Sequence, residues 1–89
     1  MLLNQDQLIG LKVITKSGQS VGKLKDFEFD TDNFKIIRYI VSSSDLVKKI
    51  TSQDLIISAN QVVEINNKAI IIDDNTVTEG QAIKYPVSI

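Results

Sequence analysis

The chain contains no cysteine and no histidine. The first absence excludes a disulfide framework and a thiolate metal site. The second removes the commonest general base, the commonest transition-metal ligand and the usual pH switch together. A basic excess is missing too. Ten lysines and arginines stand against eleven aspartates and glutamates, a net charge of −1 with both signs interspersed. Proteins that ride on phosphate backbones usually carry a basic surplus or stripe, so nucleic acid is a disfavoured partner. No apolar run approaches the roughly 20 residues of a membrane span. The N-terminus, MLLNQDQLIG, turns polar after two leucines and lacks the apolar stretch of a signal peptide. The expected location is the cytoplasm.

What the 89 residues do have is branched side chains. Isoleucine and valine supply 22 of them, with a single proline, and that composition favours sheet over helix. The length fits one domain with a modest core. Lys12-Val13-Ile14-Thr15 reads as a first strand, after a bend or close approach at Gly10. A turn at residues 16–19 follows, with Gly18 as its positive-φ residue. Residues 20–30 form a long second strand and complete a hairpin.

That second strand breaks its own alternation. Gly22, Leu24 and Asp26 share one face, yet the next apolar residues, Phe27 and Phe29, fall on the Lys23/Lys25 side. A one-residue slip moves every side chain across a sheet, so a β-bulge near Asp26 is expected to return both phenylalanines to the core. Residues 30–33, Asp-Thr-Asp-Asn, make a turn from side chains that bond their own backbone. The third strand, residues 34–41, is apolar on both faces, with Phe34, Ile36 and Ile40 on one and Ile37, Tyr39 and Val41 on the other. Strands of that kind are normally buried on both sides.

Residues 42–45, Ser-Ser-Ser-Asp, read as a loop, and residues 46–50 fit either a helical turn or a poor strand. A strand at 54–57 leads to a single helical turn near 58–62, capped from Ser58. Residues 62–65 and 68–73 form a second hairpin. Asn66-Asn67 is its two-residue turn, since asparagine tolerates the left-handed region. Ile83, Tyr85 and Val87 alternate around Pro86 and fit either a loose tail or a strand docked on an exposed edge. The expected architecture is an all-β domain of five to six strands, closed or nearly so.

In order and spacing, Gly10-Leu11-Lys12-Val13, Ser17-Gly18-Gln19 and Gly22-Lys23-Leu24-Lys25-Asp26 running on to Asp30, with the apolar strand 34–41, Leu55-Ile56-Ile57 and the hairpin 62–72, resemble the PRC-barrel family. That family is named for the cytoplasmic domain of the photosynthetic reaction-centre H subunit. Two positions depart from its pattern. Ser58-Ala59 stands where relatives often have a proline and a bulky aromatic, and Asn66 stands where they often turn at glycine. The resemblance implies a small, partly open PRC-type barrel over residues 8–74, with residues 1–7 as an N-terminal extension and 75–89 as a tail or added strand. It also implies a non-enzymatic adaptor that binds proteins, of the small free-standing kind. Relatives include a domain of a ribosome maturation factor and proteins linked to sporulation or cell division. The alternative functions are therefore an RNA- or ribosome-associated maturation factor, or a structural component of a cell-division or membrane-associated complex.

Sites of chemistry are scarce. Asp26, Glu28, Asp30, Asp32 and Asn33 begin like an oxygen-ligand cation loop, but no glycine follows at the sixth position and Val41 stands at the twelfth. Turn formation explains them better, as it does Asp73-Asp74. The serines at 42–44 have no histidine to activate them. Lys23, Lys25, Lys48 and Lys49 are interrupted by acids, and Phe27 and Phe29 are better used as core than as stacking platforms. No catalytic residue, metal site or cofactor is expected. Gly10, Gly18, Gly22, Asp26, Asp30 and Asn66 are read as architectural. The expected interface is the outward stripe Ile37, Tyr39 and Val41 together with Ile83, Tyr85 and Val87. Either Ile83, Tyr85 and Val87 of the same chain cover the stripe or a second copy does, the homodimer being favoured, and an unidentified protein partner is a further use.

Overall fold

A computed structural model describes residues 1–43, 53–74 and 83–86, with Gln53 and residues 83–86 described by their backbone. One helical turn, α1 (Gln5–Leu8), precedes strands β1 (Lys12–Thr15), β2 (Ser20–Asp30), β3 (Lys35–Ser43) and β4 (Gln53–Ser58). A 3-10 turn (Ala59–Gln61), β5 (Val62–Ile65), β6 (Ala69–Ile72) and β7 (Ile83–Pro86) follow. The strands form one sheet in the order β5-β6-β1-β2-β3-β4-β7. Every described pairing is antiparallel except β1 with β6.

The chain path forces this sheet to curl. Strands β4 and β5 lie five places apart in the sheet order, about 24 Å if it were flat. Yet only the three residues Ala59–Gln61 join them, and a 3-10 turn rises only about 2 Å per residue. The six strands β1 to β6 therefore wrap into a small barrel. The Asp73 N–H donates to the Gln61 carbonyl at 2.9 Å and extends the β5–β6 hairpin by one pair beyond Val62 and Ile72. Because β7 adds to the edge of β4, the sheet stays open between β5 and β7. The helical turn expected near 58–62 is the 3-10 turn, and the Gln61 side chain accepts the Ser58 N–H at 2.8 Å.

The barrel interior is filled by Val13, Val21, Leu24, Tyr39, Val41, Leu55, Ile57, Ile70 and Ile72. Helix α1 covers one end. Its capping box pairs the Asn4 side chain with the Gln7 N–H and the Gln7 side chain with the Asn4 N–H. Leu8, Ile9 and Leu11 pack on the core from there.

The second strand carries the expected bulge. Leu24 pairs with Val41 and Asp26 with Ile40, so two steps on β2 match one on β3 and Lys25 is the extra residue. Leu24 and Phe27, three apart, thus both reach the inner face opposite Val41 and Tyr39. The bulge does not rescue Phe29. A second irregularity falls between Glu28 and Phe29, with Ile37 as the extra residue on β3, and Phe29 is left 52% exposed.

Three further expectations change. Phe34 does not open the third strand but ends the turn before it, in the left-handed region at φ 59 and 79% exposed. The Asp30 carboxylate fixes this tight turn by accepting the Asp32 N–H and the Asn33 amide, so the reversal of direction falls on the next residue. Ser42 and Ser43 continue β3 rather than forming a loop. The second hairpin does not turn through a left-handed asparagine, since Phe34 is the one non-glycine with positive φ among the described residues. Asn66 acts instead through its side chain, whose Oδ1 accepts the Lys68 and Ala69 N–H groups at 2.8 and 3.0 Å. Residues 46–50 lie outside the described residues.

Candidate functional site

With the interior packed, the groups a partner can reach lie on the outside, chiefly along β2 and its hairpin with β3. The expected interface does not coincide with that surface. Tyr39 and Val41 are core residues, 8% and 0% exposed, and Ile37 is half-buried. The physical reason is parity. The Ile37 irregularity sets Ile36, Tyr39 and Val41 inward together, and Ile40 takes the outer side between Asp26 and Ile56. Ile40 is itself only 9% exposed, so the third strand is covered on both faces. Burial raises the Tyr39 phenol above its ordinary pKa. The backbones of Ile83 and Tyr85 pair with Ile56 and Asp54. Val87 lies outside the described residues, as do Lys48 and Lys49.

Gly10 donates its N–H to the Leu24 carbonyl at 2.8 Å, and Gly18 donates to Thr15 at 2.9 Å from φ 97. Gly22 lies where a Cβ would stand 1.9 Å from the Ser42 carbonyl oxygen, so β2 and β3 meet there with no room for a side chain. Asp26 accepts the Phe27 N–H at 2.8 Å. Glu28 pairs with Arg38 across the strands. The Asn33 amide, with the Asp32 N–H, holds the Asp30 carboxyl below the usual carboxylate range. Ser17 does the same for Asp74 by donating its N–H at 3.0 Å. Among the described residues no group of three or more acidic, histidine or cysteine side chains is arranged around a metal position.

Two surface features were not legible in the sequence. The bulge residue Lys25 reaches across β3 to Asp54 on β4, Nζ to Oδ2 at 3.0 Å. Asp54 is 5% exposed, and its place beside an apolar run was the signal that it needed a partner. Lys12 and Lys23 stand directly opposite each other on β1 and β2, both exposed. Only the register reveals that pair.

Among the described residues no helix is long and apolar enough to cross a membrane. A comparison with curated proteins returns no match. A family model, PRC-barrel domain, matches residues 2–78, a span that includes α1, the whole β1–β6 barrel and its core. The chain therefore belongs to the PRC-barrel family, whose domains serve generally as non-catalytic, protein-interaction modules.

Proposed function

We propose that this protein is a non-enzymatic adaptor of the cytoplasm that works by self-association. The observation that carries this reading is the contrast between a filled barrel and an aromatic exterior. Val13, Leu24, Val41, Ile57, Ile70 and Ile72 occupy the interior at 1% exposure or less. Phe29, Phe34 and Val63 meanwhile keep half or more of their surface in water. A barrel filled by its own side chains recognises partners with its outside. Large exposed apolar groups on that outside are the usual contact points of an interface. A small domain also buries too little surface to be very stable alone, and a second copy supplies more.

Size-exclusion chromatography with light scattering tests the reading. A mass of two chains at high micromolar concentration, falling toward one chain on dilution, is the expected result. A single-chain mass throughout overturns it.

A further inference from the structure

We infer that two copies pair through the outer face of β2, antiparallel about a two-fold axis. The β2–β3 hairpin tip of each copy then rests on Lys12 and Lys23 of the other. This rests on the self-association proposed above and adds the surface and the chemistry.

The first observation is the lysine pair. Like charges directly opposite on an antiparallel pair are destabilising. Lys12 and Lys23 are such a pair, and neither makes an ion pair among the described residues. Lys68 adds a third cation, preceding Ala69, which stands opposite Lys12 on its other side. A carboxylate brought between these ammonium groups removes the repulsion and supplies attraction.

The second observation is the far end of the same strand. Asp30 and Asp32 lie there, while Glu28 is neutralised by Arg38 and Lys35 is the one nearby free cation among the described residues. That end is net negative. It also presents Phe34, 79% exposed. Lysine stems cover apolar surface while their ammonium groups sit over ring faces, so a lysine pair suits both components of the tip.

Symmetry joins the two ends. Lys23 and Asp30 are seven residues apart on β2, about 23 Å at the usual strand rise. A second copy laid antiparallel brings positive to negative at both ends simultaneously, and the contact closes on itself. A parallel copy sets like against like at both ends.

Sedimentation equilibrium distinguishes the outcomes, with far-UV circular dichroism to verify folding. The wild type is expected to dimerise, and more weakly at about 1 M salt than at 0.15 M, because the screening length falls from about 8 to 3 Å. Lys12→Glu/Lys23→Glu and Asp32→Lys should each weaken the dimer by about tenfold or more. Phe34→Ser should weaken it also. An equimolar mixture of the two charge-reversed proteins should restore a dimer, since both contacts are then unlike again. If the mixture stays monomeric while each protein is folded, the inference is wrong. Should the wild type dimerise with both reversed variants or Phe34→Ser unaffected, this surface is wrong and self-association stands. A wild type that remains a monomer removes both.

Discussion

Replacing Gly22 with alanine places a Cβ 1.9 Å from the Ser42 carbonyl oxygen, 2.9 Å from its carbon and 3.1 Å from Val41 Cγ1. The two nearest atoms are backbone, so no rotamer change relieves the contact. β2 must move away from β3 by more than 1 Å, at the point where Gly22 pairs with Ser43 and Lys23 with Ser42. Overpacking of a tight site costs about 1–3 kcal/mol, and each ladder hydrogen bond lost costs about 1 kcal/mol more. With one such bond lost, a total of about 2–4 kcal/mol follows. An 89-residue domain is stable by about 4–13 kcal/mol, so the loss is a large fraction of the whole. Gly18→Ala is the matched control. Nothing lies within 4 Å of its Cβ position, and only the positive φ is at issue, worth about 1–2 kcal/mol. Urea denaturation followed by circular dichroism measures both. If Gly22→Ala lies within 1 kcal/mol of wild type, a deviation well below the estimate built on overpacking, or is milder than Gly18→Ala, the close approach does not control the barrel.

Asn66→Gly separates two accounts of the second hairpin. If a left-handed turn residue were needed, glycine would stabilise it, whereas loss of the two N–H acceptors predicts a destabilisation of about 1–2 kcal/mol by thermal melting. The Lys25–Asp54 pair, with the lysine side chain 43% exposed, should show a coupling of only about 0.5–1 kcal/mol in a double-mutant cycle with Lys25→Met and Asp54→Asn. A null coupling would separate the bulge from the ion pair. Acid stability reports on Asp30, whose folded pKa lies below its ordinary 3.8. Its contribution is complete above that ordinary value and lost as pH falls through the depressed folded one. The stability gap between wild type and Asp30→Asn should accordingly be constant near neutrality and narrow below pH 3.8. A gap that instead widened on acidification would contradict the turn bonding.

Much of the barrel could be read from residue types because its determinants are local. Lys16 to Gln19 is a turn by composition, and Gly18 sits at φ 97. The break in alternation at Asp26 announces a bulge wherever the strand goes, and the register places it at Lys25. Features that depend on a distant partner left no such mark. Lys25 meets Asp54 across an intervening strand, and Lys12 meets Lys23 only through the register of the first hairpin. Asn66 shows a subtler limit. Its type signalled a turn correctly, but asparagine can serve by backbone conformation or by side-chain acceptance, and only the geometry separates them.

Which face of the third strand looks inward is the decisive case. Alternation divides its residues into two sets but cannot say which set is inside. Both sets are apolar here, so hydrophobicity offers no vote. One inserted residue in either strand exchanges the sets beyond it, and this hairpin has two insertions, Lys25 on one strand and Ile37 on the other. The result seats Ile36, Tyr39 and Val41 on the inner side, while Phe29, opposite Ile36, and Phe34, in the turn, are exposed at the hairpin end. The set of third-strand residues that meets the core is thus fixed by where two extra residues fall. It follows that deleting Lys25 should leave the register intact, because Leu24, Asp26 and Phe27 would then alternate regularly against Val41, Ile40 and Tyr39 and keep Phe27 on the inner face. The loss measured by urea denaturation should be no larger than that of Lys25→Met, which also leaves Asp54 without its partner, and a much larger loss would show that the bend of the bulge is itself needed.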